Sequence, residues 1–536
     1  MRTRCVIAGA AALALLGAGA PALAVDGGGP DLNRFYEQKV TWGDCGKLLY
    51  DAPDGMQCGK ARVPLDYAEP GKGSIELALN RIPASGEKRG SLLVNFGGPG
   101  GAGVAGVVAS AKSFGDLSKA YDIVGFDPRG VGMSAPVTCG DGSELPDSEP
   151  DSANAALEEL KKQYEVCKKH SGPVAEHIGT VNVSRDMDVM RQVLGDKKLN
   201  FFGLSYGTRL GAVYAGQFPH RVGRMVLDGV DTLTEPLTEQ SLVAAEGEQT
   251  ALDNFVTWCS QNTGCVLGGN SRDAKENVAK LISNLNESPV ELGDGLQYSG
   301  EELVSTLGTA LYHRDAWPYL SQALTNLVAD RDPKALLRIS GVQLPPTQQA
   351  RQARQAQQAQ QVRQARRAES SSNVVPQADV PPDNENTALV MVNCADDPDR
   401  FTAAQLSDKA LVERLEREFE EASPIFGPLR LQQVLMCAGQ PKGTDYIRKI
   451  EDVDTPRILL VGTRGDPATP YQWAVETAKR LGDKAVLLDN QGEGHTGYFS
   501  SKCVAQKSND YLLYGELPRS GLYCGAGEGG GGGGGG

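Results

Sequence analysis

Short apolar runs recur along the chain, and most of them end in glycine or aspartate. They are apolar throughout rather than alternating, which is typical of parallel strands covered on both faces. Helical patterns built from small or amphipathic residues separate them. The predicted strands are 91–96, 122–126, 199–203, 224–227, 457–461 and 485–488, and the predicted helices are 184–194, 205–217 and 473–481. This alternation predicts an α/β fold with a mostly parallel central sheet and helices on both faces.

Two regions depart from the alternation of strands and helices. Segments 61–67 and 74–84 flank a Pro-Gly turn, which predicts an antiparallel pair ahead of the parallel strands. Between 233 and 390 the pattern is helical only, and it includes a segment made almost entirely of Gln, Ala and Arg at 348–368. We interpret 233–390 as a helical cap inserted between a first core part, 41–232, and a C-terminal core part, 391–525.

The N-terminus carries a targeting pattern. Arg2 and Arg4 precede an apolar run rich in Ala, Leu and Gly, and small residues follow at Ala22 and Ala24. This pattern predicts a signal peptide at 1–24 and therefore secretion. The alternative, a membrane anchor, is disfavoured because the run is short and poor in strongly apolar residues. We expect 25–40 to be flexible and the glycine-rich tail, 526–536, to be disordered.

Composition excludes some functions. The chain has 536 residues and a net charge of −14, which argues against partners such as nucleic acid or an anionic membrane surface. Of the 11 cysteines, Cys5 leaves with the predicted signal peptide, and the even remainder in an exported chain favours disulfides over zinc. Pairing in sequence order would give bridges 45–58, 139–167, 259–265, 394–437 and 503–524, although the sequence alone does not fix that connectivity.

A candidate nucleophile lies at Ser205, within Gly203-Leu204-Ser205-Tyr206-Gly207. This G-x-S-x-G pattern alone is weak, because a chain with 65 glycines can contain it by chance. Its position is informative, since an apolar strand runs into it and a helix of small residues leaves it. A strand–turn–helix of this kind lifts the serine oxygen clear of the sheet at the start of a helix.

A nucleophilic serine needs a base, and elimination among the histidines identifies one. The chain order expected for this arrangement is nucleophile, acid, histidine. The histidines are His170, His177, His220, His313 and His495. The first two precede Ser205, His220 lies at the far end of the helix after it, and His313 lies in the predicted cap. His495 alone follows the last predicted strand, so we predict that it is the general base.

The remaining catalytic groups are predicted from strand positions. Asp466 follows strand 457–461 and is the predicted acid that orients the histidine, with Asp489 as its rival. The amide of Tyr206 and that of Gly98, in the glycine-rich loop after strand 91–96, are the predicted oxyanion donors. This chemistry requires no metal and no cofactor.

Five stretches together resemble the proline-iminopeptidase-like branch of the α/β-hydrolases, and more narrowly the secreted tripeptidyl aminopeptidases of actinomycetes. They are 95–101 (NFGGPGG), 126–134 (FDPRGVGMS), 203–208 (GLSYGT), 465–470 (GDPATP) and 494–495 (GH). Many family members have histidine where this chain has Phe96, and the Gln/Ala/Arg-rich segment is unexpected for the family. The resemblance implies the α/β-hydrolase fold and a serine exopeptidase that releases short peptides, tripeptides above all, from free N-termini.

The resemblance also implies carboxylates that bind the α-amino group of a peptide substrate. The candidates are Glu246, Glu248, Asp253, Asp396 and Asp397. Two alternatives to an aminopeptidase stay open: a carboxylesterase or lactonase that uses the same triad, and a binding protein with a relic site. Fold and triad are common to the peptidase and the esterase, so neither discriminates between them.

Overall fold

The computed structural model describes residues 31–46, 49, 52–145, 152–293, 296–341, 374–519 and 521–525. The predicted signal peptide at 1–24, the Gln/Ala/Arg-rich segment at 348–368 and the tail at 526–536 lie outside these residues.

A central β-sheet organises the structure. Within the described residues it has ten strands in the order β1-β2-β3-β5-β4-β6-β7-β10-β11-β12, while β8 and β9 form a separate hairpin. The strands are β1 Gly43–Asp44, β2 Gln57–Pro64, β3 Ser74–Ile82, β4 Gly90–Asn95, β5 Tyr121–Phe126, β6 Leu199–Leu204, β7 Val222–Asp228, β8 Val290–Gly293, β9 Leu296–Tyr298, β10 Ile458–Gly465, β11 Ala485–Glu493 and β12 Tyr523–Cys524. The predicted strands are confirmed, and β2 and β3 form the expected antiparallel pair. From β5 to β12 all neighbouring strands are parallel.

Helices cover the sheet and build the cap. They are α1 Asn33–Tyr36, α2 Gly103–Ser110, α3 Ala153–Ser171, α4 Thr180–Val193, α5 Tyr206–Gln217, α6 Leu237–Ser260, α7 Ser271–Glu287, α8 Gly300–Leu311, α9 Trp317–Asp330, α10 Lys334–Ile339, α11 Asn384–Asp396, α12 Ala403–Leu406, α13 Lys409–Ala422, α14 Gly427–Leu435, α15 Tyr471–Leu481 and α16 Lys502–Tyr514.

The central strands are buried on both faces, which explains their unbroken apolar sequences. Successive residues of one strand enter two different hydrophobic clusters, because side chains alternate across a sheet. One face contributes Leu93, Phe201, Leu227 and Leu460. The other contributes Leu92, Phe202, Val226 and Leu459. The sheet is thereby fixed between two cores, and its carboxyl edge becomes a rigid base for the loops above it.

The cap has its own hydrophobic core and extends further than predicted. Phe255 of α6, Leu307 of α8 and Trp317 of α9 belong to one buried cluster, which also includes Phe426. Phe426 lies between α13 and α14, and both of these helices pack against α6. Helices therefore continue to residue 435, beyond the predicted boundary at 390. The proline-rich segment before α11 interrupts the helical pattern but does not end the cap.

The predicted flexible segment at 25–40 is wrong for its described part, 31–40. Phe35 of α1 is 1% exposed and joins the core beneath the sheet. The Tyr36 hydroxyl donates to Asp188 Oδ2 at 2.7 Å. One buried aromatic ring and one half-buried hydrogen bond thus fix a segment whose composition is typical of a flexible chain.

Disulfides link cysteines that are consecutive in the chain. The described residues contain bridges 45–58, 139–167, 259–265, 394–437 and 503–524, as pairing in sequence order predicts. None of the described helices is long and apolar enough to cross a membrane.

Candidate active site

Ser205 occupies a sharp turn between β6 and α5. Its backbone has φ of 56° and ψ of −129°, which is unusual for a residue with a side chain. The turn is tight enough to require glycine on both sides: a Cβ on Gly203 would lie 2.3 Å from the Gly207 carbonyl oxygen. Such a strained, over-determined turn is the geometry in which a nucleophile is presented above a sheet.

Asp466 and His495 are in direct contact. His495 Nδ1 lies 2.9 Å from Asp466 Oδ1 and 3.1 Å from Oδ2. Asp466 is 2% exposed, and its carboxylate also accepts the backbone amides of Ala468, Thr469 and Thr496. The carboxylate is therefore fixed mainly by the backbone, and it leaves His495 Nε2 as the ring nitrogen that is free to exchange a proton.

Two opposing effects act on the imidazole of His495. Burial alone would lower its pKa, but the charge and hydrogen bond of Asp466 outweigh burial and raise the pKa above the ordinary 6.5. Asp228 and Asp231 act in the same direction as Asp466. A cationic imidazole, the form that a general base takes after receiving a proton, is therefore stabilised at this position.

A cap residue also holds His495. The backbone amide of His495 donates to the carbonyl oxygen of Tyr312, a cap residue, at 2.8 Å. The Tyr312 ring meets the imidazole edge to face, with ring centroids 4.9 Å apart. Since Tyr312 follows α8, the cap reaches the histidine directly, a contact that the sequence pattern did not predict.

The glycine-rich loop after β4 lies against the Ser205 turn. A Cβ on Gly97 would lie 2.7 Å from the Ser205 Cβ and 3.2 Å from the Tyr206 nitrogen, so only glycine fits. The Gly97 amide donates to the Asn95 side chain at 3.0 Å. In the described part of the chain, the amides of Gly98 and Tyr206 donate to no other group. These two N–H groups therefore remain available to a ligand oxygen.

Asp489, the rival acid, lies elsewhere. It forms a two-pronged ion pair with Arg464, at 3.0 and 2.7 Å, and makes no hydrogen bond to His495 within the described residues. The structure thus brings Asp466, rather than Asp489, to the histidine. The side chain of His170 instead contacts Glu144, at 3.0 Å between Nε2 and Oε1, in an exposed position.

Known proteins resemble this chain over most of its length. Residues 423–524 match the model of a family described as TAP-like protein. Serine protease Hip1 of Mycobacterium tuberculosis is 32% identical over 524 residues, covering 91% of this chain and 91% of the relative. Tripeptidyl aminopeptidase of Streptomyces coelicolor is 30% identical, covering 92% of this chain and 87% of the relative. The chain belongs to the tripeptidyl aminopeptidase-like family of α/β-hydrolases.

The same family includes relatives with other names. Carboxylesterase B of Mycobacterium tuberculosis is 32% identical over 513 residues, covering 90% of this chain and 89% of the relative. What the relatives with different names have in common is that they are serine hydrolases with the α/β-hydrolase fold. The predicted fold class and the resemblance to the family are thereby confirmed.

In this family member, the five candidate carboxylates for substrate binding have different surroundings. Glu246 is exposed, Asp253 pairs with Lys275 at the surface, and Asp397 pairs with Arg448. Asp396 is buried beside Thr180 and Arg209, and burial raises its pKa to about 6. The fifth, Glu248, is buried in the cap and is bound by both nitrogens of the Arg430 fork, at 2.9 and 2.8 Å.

Asp396 and Asp397 line a cavity of about 20 Å³, whereas Glu248 lines a larger cavity in the cap. The cavity measures about 300 Å³ and lies between α6, α8 and α14. Tyr312 lines it together with Glu248, and Tyr312 is the residue that contacts His495.

Three residues near the site were missed by sequence reasoning: Asp228, Tyr312 and Thr469. Asp228 is the last residue of the strand after the nucleophile strand, and an acidic residue that ends a buried strand is a signal that could have been used. The Thr469 hydroxyl donates to Asp466 Oδ2 at 3.0 Å, a contact within the same loop. Tyr312 offered no signal, because its role depends on how the cap docks.

Proposed function

We propose that the protein is a secreted serine exopeptidase that removes short peptides, tripeptides above all, from the free N-termini of peptides and proteins. The observation that carries the proposal is the Asp466–His495 pair, in a loop that Asp228 links to the Ser205 backbone. The cap residue Tyr312 packs on this histidine and lines a cavity. Relatives named as a serine protease and as a tripeptidyl aminopeptidase, matched over nine-tenths of this chain, support peptide bonds as the substrate.

The proposed reaction proceeds through an acyl-enzyme. Ser205 Oγ attacks the scissile carbonyl carbon while His495 Nε2 takes the hydroxyl proton, and the carbonyl oxygen becomes an oxyanion held by the amides of Gly98 and Tyr206. The carbon–nitrogen bond then breaks, and His495 returns the proton to the leaving amine. In the second half-reaction, water attacks the ester carbonyl while His495 takes a proton from it. The ester bond then breaks, Ser205 Oγ regains its proton from His495, and the N-terminal fragment leaves.

Asp466 gives the histidine its working form. Its carboxylate accepts the Nδ1 proton, so the neutral imidazole presents a bare Nε2 towards the nucleophile. The same charge stabilises the imidazolium that forms during attack. The several backbone amides on Asp466 keep the carboxylate oriented and ionised through both half-reactions.

Exopeptidase selectivity would come from the cap. A substrate ammonium in the 300 Å³ cavity can approach the Glu248 carboxylate, whose remaining lone pairs are not used by Arg430. The distance between that carboxylate and Ser205 would limit how many substrate residues fit between them. Disulfides in five segments of the described chain support an oxidising, extracellular location for the mature protein.

A carboxylesterase is the second candidate, since one relative is named Carboxylesterase B. Arylamides of tripeptides with a free and with an acetylated N-terminus, measured beside a simple aryl ester, separate the two. We expect rapid cleavage of the free tripeptidyl arylamide and little cleavage of its acetylated form. Equal rates on both forms, or activity on the ester alone, would contradict the aminopeptidase proposal.

The Ser205→Ala variant tests the nucleophile in the same assay. Removal of a catalytic serine lowers kcat by about 10⁶-fold in a comparable triad enzyme. We expect a loss of that order, together with loss of labelling by a fluorophosphonate probe. Undiminished activity of Ser205→Ala would defeat every serine-hydrolase interpretation, including the esterase.

A further inference from the structure

Asp228 is a buried carboxylate that, among the described residues, accepts hydrogen bonds from backbone amides alone. It is the last residue of β7 and has no exposed surface. Its oxygens accept the Gly497 amide at 2.9 and 3.0 Å and the Tyr498 amide at 2.7 Å. No lysine or arginine forms an ion pair with it among the residues that the structure describes. The side chain of Asp228 therefore binds two amides of one loop.

That loop carries the histidine. Gly497 and Tyr498 follow His495 by two and three residues, so Asp228 fixes the loop just after the histidine. Asp466 fixes the same loop one residue after the histidine, because it accepts the Thr496 amide at 3.1 Å. The turn that presents His495 is thus held by two carboxylates, one at the end of β7 and one in the loop after the neighbouring parallel strand, β10.

Asp228 also contacts the nucleophile's backbone. Its carbonyl oxygen accepts the Ser205 amide at 2.9 Å, where the β6–β7 ladder ends. One residue therefore bonds to the nucleophile through its main chain and to the histidine loop through its side chain. Any shift of Asp228 would change the position of His495 relative to Ser205.

Such an arrangement costs free energy. Burial of a carboxylate without a cation is unfavourable, and burial raises the pKa of Asp228 to about 6. Sheet formation does not require the charge, because the β7 ladder uses only backbone groups. The charge is useful, however, beside a histidine that must become cationic during the reaction.

We propose that Asp228 is a positioning residue for the hydrolase reaction, which holds the His495 loop at a fixed place relative to Ser205 and stabilises the imidazolium. It touches neither substrate nor reacting atoms. The inference rests on the proposed triad but is independent of whether the substrate is a peptide or an ester.

The charged groups around His495 define what its titration reports. Asp466 faces it from the loop after β10, and Asp228 and Asp231 face it from the end of β7 and the segment that follows. Asp231 is paired with Arg209 at 3.0 Å, so its charge is largely compensated. Tyr312 faces the ring from the cap. Removal of the Asp228 charge should therefore lower the pKa of His495.

The test is Asp228→Asn, which keeps the size of the side chain but removes the charge and turns an N–H group towards one of the two amides. We expect kcat to fall by about 10²-fold, as displacements of catalytic groups of about 1 Å do, with KM changed less than about twofold. We also expect the acid midpoint of kcat/KM, and of the fluorophosphonate labelling rate, to move to lower pH.

Asp127→Asn is the matched control. Asp127 is equally buried, accepts the amides of Val104 and Met133 at 2.9 Å each, and has its pKa raised by burial to about 6. Within the described residues, it makes no hydrogen bond to the His495 loop. Its variant should lose a similar amount of thermal stability without a shift of the acid midpoint.

The outcomes separate the two proposals. An unchanged kcat and midpoint in Asp228→Asn, or a loss matched in full by Asp127→Asn, would overturn the positioning role while the wild type stays active. An inactive wild type, or a Ser205→Ala variant as active as the wild type, would instead overturn the proposed function. If Asp228→Asn does not fold, Asp228→Ser replaces it, because the smaller serine can accept one amide without a charge. This variant must then show both a lower kcat on active, titrated enzyme and an acid midpoint at lower pH.

Discussion

The carboxyl edge of the sheet and the cap hold their charged groups in different ways. At the edge, backbone amides fix Asp466 and Asp228, so neither carboxylate depends on a mobile side chain. In the cap, Glu248 depends on the side chain of Arg430. Amide-held groups keep their geometry through a reaction, whereas a side-chain pair can rearrange around a ligand. The edge should therefore set the rate, and the cap should set which substrate is accepted.

The strongest test of the edge is Asp466→Asn. The amide cannot accept the Nδ1 proton in the same way, so His495 adopts the wrong tautomer, and kcat should fall by about 10⁴-fold. Binding should be little affected, because Asp466 is buried behind the histidine. Steady-state kinetics on the tripeptidyl arylamide measure both quantities.

The rival acid supplies the control for that experiment. Asp489→Asn breaks an ion pair with the partly exposed Arg464 and should change kcat less than about twofold. A larger loss in Asp489→Asn than in Asp466→Asn would reverse the assignment of the acid.

The pH profile probes the same edge with a smaller effect. Only the neutral imidazole can take a proton from Ser205, so activity should fall about tenfold per pH unit below the pKa of His495. Because Asp466 raises that pKa, the midpoint of kcat/KM should lie above 6.5. A midpoint well below 6.5 in the free enzyme would show that burial, rather than the Asp466 charge, controls the histidine.

A substitution in the cap should change KM rather than kcat, and its effect should be smaller than that of the substitutions at the sheet edge. Glu248→Gln keeps an acceptor for Arg430 but removes the charge that would attract an ammonium, so KM for free N-termini should rise about tenfold. Acetylated substrates should be unaffected, and kcat should change little. A fall in kcat with constant KM would place Glu248 in the chemistry instead.

Asp253→Asn is the matched cap control. Asp253 lies on the same helix, α6, but its ion pair with Lys275 is exposed and lies away from the cavity lining. Exposed pairs contribute little, so neither KM nor stability should change measurably. The difference between the two α6 variants isolates the contribution of the cavity.

The fold could be predicted from sequence wherever local pattern decides it. Unbroken apolar runs identified the parallel strands, because each strand is buried on both faces. The order of Ser205, Asp466 and His495 could be predicted because each follows a recognisable strand. The structure brings Asp466 and His495 together, while the catalytic roles of all three residues stay predictions.

Long-range packing accounts for what the sequence did not reveal. Segment 31–40 reads as flexible, yet Phe35 finds a place in a core built from distant residues. The cap does not end at 390, because Phe426 returns to the cluster formed by α6 and α9. In the sequence, Asp228 is indistinguishable from an ordinary strand end, because its partners Gly497 and Tyr498 lie about 270 positions later in the chain.

The order of the disulfides has a consequence for how the protein is made. Each bridge in the described chain joins a cysteine to the next one along the sequence, with separations between 6 and 43 residues. A chain that emerges N-terminus first can close every bridge before the following pair appears, so emergence in that direction favours this pairing. If the protein is exported as proposed, we expect oxidation during translocation to need little reshuffling, whereas refolding of the reduced full-length chain should produce scrambled bridges that an isomerase must correct.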